Sequence, residues 1–92
     1  MGLYNNDDIH AFQIDKIITI SIILKDIPEY TLTYTFDEEN SQKFSDALQK
    51  EYSGTLQDMV TAAFGEDFHF ATFDKFCEEN AIEYKYSQEM II

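Results

Sequence analysis

Residues 30–36 constrain this chain most. Tyr30, Leu32, Tyr34 and Phe36 alternate strictly with Thr31, Thr33 and Thr35. A period of two sends the rings and the leucine to one face of an extended strand and three threonines to the other. A strand of that kind needs neighbours for its backbone hydrogen bonds and a layer that covers its apolar face.

The preceding segment offers a neighbour. Phe12, Ile14, Ile18, Ile20, Ile22 and Leu24 hold alternate positions, with Gln13, Asp15, Thr19, Ser21 and Lys25 mainly between them. This predicts a β-branched strand facing the same core. Lys16 falls on its apolar face, which implies a bulge there or a strand that begins near Ile17. Asp26, Pro28 and Glu29 supply turn chemistry, with Pro28 presetting φ, so the two runs are expected to form a β-hairpin. Residues 1–8, with Asn5, Asn6, Asp7 and Asp8, read as a loose lead-in.

After residue 36 the period changes. Asp37 offers an N-cap carboxylate, Glu38 and Glu39 suit the positive end of a helix, and Phe44, Ala47, Leu48 and Tyr52 lie on one helical stripe that Gly54 ends. Thr55 and Asp58 open a second helix whose inner face is Leu56, Met59, Val60, Ala63 and Phe64, closed by Gly65. Phe68 and Phe70 alternate around His69 as an extended link. Thr72 is expected to cap a third helix with Phe73, Phe76 and Cys77 inward and Asn80 at its end. Ile82, Tyr84, Tyr86, Met90 and Ile92 then predict a last strand, with Gln88 interrupting its inner face. The expected order is ββαααβ: one α+β domain over residues 1–92, about three helices on one face of a small antiparallel sheet. The long first strand is expected in the middle, between its hairpin partner and the C-terminal strand.

Charge limits the partners. The 92 residues hold 18 Asp and Glu against six Lys and no Arg, a net charge of −12. Direct nucleic-acid binding draws its affinity from basic side chains on phosphates, so it is excluded, and adhesion to an anionic membrane is disfavoured. One cysteine makes no internal disulfide. Residues 1–10 have no basic or apolar region of a signal peptide, and the apolar run Ile17–Leu24 is far short of the about 20 residues of a membrane span. A cytoplasmic protein is expected, in the host cytoplasm if the source is a virus.

Catalytic groups are sparse. Cys77 sits among Phe73, Phe76, Glu78 and Glu79 with no arginine to lower its pKa, so a buried structural thiol is expected. His69 lies between two phenylalanines, and His10 precedes the first strand. With Cys77 they do not make a four-ligand zinc set. No calcium-loop pattern and no glycine-rich phosphate loop occurs. The expectation is no enzyme, no cofactor and no metal.

The acids themselves are informative. Glu39 with Lys43 and Asp46 with Lys50 have the favourable i,i+4 order and support the first helix. Residues 37–92 nevertheless carry 13 acids and four lysines. On the third helix Asp74 and Glu78 are a like-charge i,i+4 pair, and Glu78 and Glu79 sit at the helix end whose dipole disfavours anions by about 0.3–1 kcal/mol each. Acids held where local physics disfavours them suggest a partner that wants negative charge. The candidate partner-binding residues are Glu66, Asp67, Asp74, Glu78, Glu79 and Glu83. Carboxylates one helical turn apart lie about 6 Å apart along the axis, against about 3.4 Å per phosphate of a DNA strand. Matching a duplex would take several elements together.

Two functions follow. The first is a non-catalytic inhibitor that presents this face to a basic protein, a nuclease or other nucleic-acid-binding factor. Small acidic phage-encoded anti-defence proteins and toxin-immunity proteins are similar in composition, and no motif ties the chain to one family. The second is a homodimer or assembly module acting through an exposed sheet edge, with Met90, Ile91 and Ile92 in the contact.

Overall fold

The computed structural model describes residues 9–24 and 29–91. The lead-in at 1–8, the turn residues Asp26 and Pro28, and Ile92 lie outside the described residues. Four strands, β1 (Ile9–Ile14), β2 (Ile17–Leu24), β3 (Glu29–Thr35) and β4 (Lys85–Ile91), form one antiparallel sheet in the order β1-β2-β3-β4. Helices α1 (Glu38–Gln49), α2 (Leu56–Phe64) and α3 (Phe70–Glu79) intervene between β3 and β4. The α+β class, the antiparallel sheet and the three-helix layer are as expected. No helix among the described residues is long and apolar enough to cross a membrane.

The first run departs from expectation in what precedes Ile17, whereas a strand does begin at Ile17, as Lys16 on the apolar face implied. The run is two strands, folded back at Asp15-Lys16, with Ile14 opposite Ile17 and Phe12 opposite Thr19. A two-residue turn pairs even positions with odd ones, so the parity of the inner face switches across it. Ile9 and Ala11 face the core beside Ile22 and Ile20. Phe12 and Ile14, expected inside, are 41% and 65% exposed on the outer face. His10 stands within β1 rather than before it. Asp15 takes the left-handed step at φ 57°, which aspartate tolerates better than most residues.

Neighbour order also differs. β3 lies between β2 and β4, and the C-terminal strand pairs with the Thr/Tyr strand instead of the first isoleucine run. The direct pairs Tyr34↔Tyr86, Leu32↔Gln88 and Tyr30↔Met90 put these residues on the helix side, since opposite residues share a face. The core between sheet and helices is built of rings and aliphatics, with Phe36, Phe44, Phe64, Phe68 and Phe73 fully buried against Ile18, Ile20 and Ile22. Tyr34 stands at its centre, with ring centroids 4.6 Å from Phe73 and 5.0 Å from Tyr84.

Local chemistry sets the helix ends. Asp37 caps α1 through the Asn40 amide at 2.8 Å, and Thr55 caps α2 through the Asp58 amide at 3.1 Å. α1 stops at Gln49, leaving Tyr52 and Gly54 in the link. α3 begins one turn before the predicted Thr72 cap. His69 is the N-cap, its amide donating to the Phe64 carbonyl at 2.8 Å, and Phe68 before it is left-handed at φ 47°. The 68–70 segment is therefore a turn entering a helix, not an extended link. Phe68 is held in this strained shape by complete burial.

At the other end, the Ala81 amide donates to the Glu78 carbonyl and the Ile82 amide to the Cys77 carbonyl. This is a Schellman closure with Ala81 left-handed at φ 54° and Ile82 buried. It consumes residues expected in the last strand, so Ile82 and Tyr84 precede β4.

Two buried polar side chains tie the layers. Ser41 accepts the Ile18 amide at 2.9 Å, and Asn40 accepts the Glu83 amide at 2.8 Å. Gln57 of α2 lies along the outer edge of β1, accepting the Ala11 amide at 2.7 Å and donating to the Ile9 carbonyl at 2.8 Å. A side-chain amide thus fills the place of a further strand there.

Candidate binding surface

The six acids expected to meet a partner are exposed and occupy four places. Glu66 and Asp67 lie in the turn between α2 and α3, beside Phe68, whose ring stacks on Tyr34 at 6.1 Å. Asp74 projects from the middle of α3 and accepts the Tyr84 hydroxyl at 2.8 Å. Tyr84 in turn meets Tyr34 edge-on, so Asp74 borders the aromatic cluster around Tyr34. Glu78 and Glu79 occupy the last turn of α3. Glu83 is set apart: its amide is bound at the start of α1, and it shares a depression of about 170 Å³ with Asp37 and Lys85. The structure therefore groups Glu66, Asp67, Asp74, Glu78 and Glu79 along α3, with Glu83 beyond its end.

Acids on α1 are placed differently. Glu38 reaches Lys16 at 3.7 Å and Glu39 reaches Lys43 at 3.6 Å. Asp46 accepts the Gln42 side-chain amide at 2.9 Å, and the expected ion pair with Lys50 does not form among the described residues. A depression of about 630 Å³ is lined by both of these lysine–glutamate pairs. Its lining holds Lys16 and Lys43 against Glu38, Glu39 and Asp46, so most of its negative charge is met. On α3 and in the turn before it, by contrast, the side chains of Asp67, Glu78 and Glu79 make no hydrogen bond or ion pair among the described residues. No acid occupies the first turn of α3 and no base its last. Glu78 and Glu79 thus stand against the helix dipole at the C-terminal end of α3.

Titratable groups inside the core stay neutral. Burial, and then the charge of nearby Asp74, pushes the Cys77 thiol up to about 12. The thiol is 2% exposed, so the nucleophilic form is both disfavoured and screened. Burial followed by the Asp74 hydrogen bond pushes Tyr84 up to about 12, and burial raises Tyr34 further. The Asn40 backbone and side-chain amides hold Asp37 below the usual carboxylate range. No group of three or more His, Cys, Asp or Glu able to hold a metal ion occurs among the described residues.

Two features escaped the sequence. One is the Gln57 clasp, for which a lone polar residue on a helix gives no signal. The other is β4, whose described side chains are exposed on both faces, with Tyr86 and Met90 at 49% and 48%. Gln88 on the inner face of that strand was the available hint. No protein-family model matches the chain, and no curated protein or solved structure matches it.

Proposed function

We propose that this protein is a non-catalytic binding protein that inhibits a basic, nucleic-acid-binding partner, a nuclease or related factor, by covering its phosphate-binding surface. The observation that carries the reading is the charge order of α3. Asp74, Glu78 and Glu79 remain solvent-facing without the lysines that meet the acids of α1, on a helix anchored by the buried Phe73 and Cys77. Electrostatic complementarity of this sort speeds association and excludes competing phosphate. Glu66 and Asp67 extend the acidic surface past the start of α3, and Glu83 extends it past the end. The partner acts in the same compartment, taken as the cytoplasm, and neither membrane nor nucleic acid is bound directly.

Affinity capture tests this. Tagged protein exposed to lysate of its source, or of its host, is washed at about 0.05 M salt and eluted at about 0.5 M, where the Debye length falls to a few ångströms. The expected product is a basic nuclease or nucleic-acid-binding protein whose activity the purified chain inhibits. The triple variant Asp74→Lys, Glu78→Lys, Glu79→Lys should keep its thermal transition and lose that inhibition; unchanged inhibition refutes the site. Recovery of the chain alone, held through high salt, favours the second reading. That reading is self-assembly through β4, the edge strand with every described side chain exposed.

A further inference from the structure

The helix layer does not reach across the whole sheet. α2 packs over β1 and α1 over β2, while rings from α3 and its flanks cover Tyr34. On β4 the helix-side residues Tyr86, Gln88 and Met90 remain exposed, and their neighbours Tyr30 and Leu24 are only half-buried. A largely apolar shelf, interrupted by Gln88, therefore runs along an edge strand where a further helix of a two-layer sandwich would sit.

One side of this shelf is acidic. Tyr86 lies 5.2 Å from Tyr34 between ring centroids, and Tyr34 touches both Phe68, next to Asp67, and Tyr84, which holds Asp74. The floor is aromatic and aliphatic on either side of Gln88, and the rim toward α3 carries the Asp74 carboxylate.

We propose that the helix-side face of β4 is a docking groove for a basic amphipathic helix of the partner protein. The inference rests on the acidic-surface reading and deepens it by naming what the partner inserts. Charge complementarity selects the occupant. A helix with an apolar stripe would meet Tyr86, Met90 and Tyr30, while lysines or arginines along its flank would meet Asp67 and Asp74. A second copy of this chain, at net charge −12, would bring acids to that rim instead. Size agrees. The seven residues of β4 span about 23 Å at about 3.3 Å each. A helix of about 15 residues at about 1.5 Å per residue covers that length.

The test uses two synthetic 15-residue peptides of identical Leu/Lys composition, labelled for fluorescence anisotropy at about 0.1 M salt. One places its leucines on a single helical stripe, and the other scrambles them. The full chain should bind the striped peptide at least tenfold more tightly. The backbone amides of Tyr86, Gln88 and Met90 should shift in an NMR titration, which needs no variant. The double variant Tyr86→Glu, Met90→Glu adds negative charge yet should lose at least tenfold in affinity for the striped peptide. Equal binding of both peptides, unshifted β4 amides, or a double variant that binds as well as the parent each overturns the groove. The two readings separate cleanly. If the lysine triple variant still abolishes binding while the β4 variant does not, the acidic surface stands and the groove fails.

Discussion

Replacing Gln57 tests how the exposed edge of the sheet is closed. Its side chain supplies one acceptor and one donor to β1, at 2.7 and 2.8 Å. A protein hydrogen bond contributes about 1 kcal/mol net, so two bonds amount to about 2 kcal/mol. In Gln57→Ala the vacated space lies at a partly buried edge, where water recovers part of this. A loss of about 1–2 kcal/mol follows, or roughly 4–16 °C in Tm for a domain of this size. In Gln57→Leu an apolar side chain of similar reach seals the Ala11 amide and the Ile9 carbonyl from water. Each unsatisfied group then costs about 1–3 kcal/mol. Helix propensity favours both replacements slightly, and leucine adds apolar contact, so simple hydrophobicity ranks leucine the more stable. The clasp predicts the reverse: wild type above alanine, and alanine above leucine. Urea unfolding followed by tyrosine fluorescence gives the order, and hydrogen exchange at the Ala11 amide locates it. A leucine variant at least as stable as the parent, with Ala11 exchange unchanged, would refute the reasoning.

Two further perturbations follow from the geometry. Ala81 occupies the left-handed position of the α3 closure, where glycine carries no Cβ penalty, so Ala81→Gly should stabilise by about 0.5–1 kcal/mol in thermal unfolding. Alkali should unfold the domain: Tyr84 and Cys77 have folded-state pKa values raised to about 12 from ordinary values of 10.0 and 9.0. The folded state therefore holds its protons longer. Its stability is fully present below about pH 9 and is lost as pH rises toward 12. Tyrosinate absorbance should rise together with loss of far-ultraviolet ellipticity; full tyrosine ionisation with the fold intact would contradict this.

What the sequence shows, and what it hides, divides by range. The Tyr30–Phe36 alternation and the Asp37 and Thr55 caps are settled by residues within a few positions, and they stand as read. The β1–β2 turn was hidden because Asp15-Lys16 lacks the glycine that normally marks a tight hairpin, and because isoleucines on both sides mimic one continuous strand. Lys16 on the apolar face marked the break, and β2 does begin at Ile17, but the change of face shows only in the apolar character of Ile9 and Ala11. Thr72 lost its cap role because burial of Phe68 pulls the chain into the helix one turn earlier. The β3–β4 pairing is a long-range choice that no alternation encodes. The acidic surface was legible as composition. The exposed shelf was not, because whether Tyr86 and Met90 are covered depends on how far the helices extend across the sheet.

The insertion of all three helices between neighbouring strands has a kinetic consequence. β1, β2 and β3 form a meander through local connections, whereas β4 joins β3 only after residues 36–84 have turned back on themselves. Closing a loop of that length costs roughly 3 kcal/mol more chain entropy than closing a two-residue turn. Exposed on both faces, β4 recovers this through its backbone ladder and the Tyr34–Tyr86 ring contact rather than through deep burial. It is accordingly the last strand to dock and the first to let go, a subglobal unit that opens well before the meander yields.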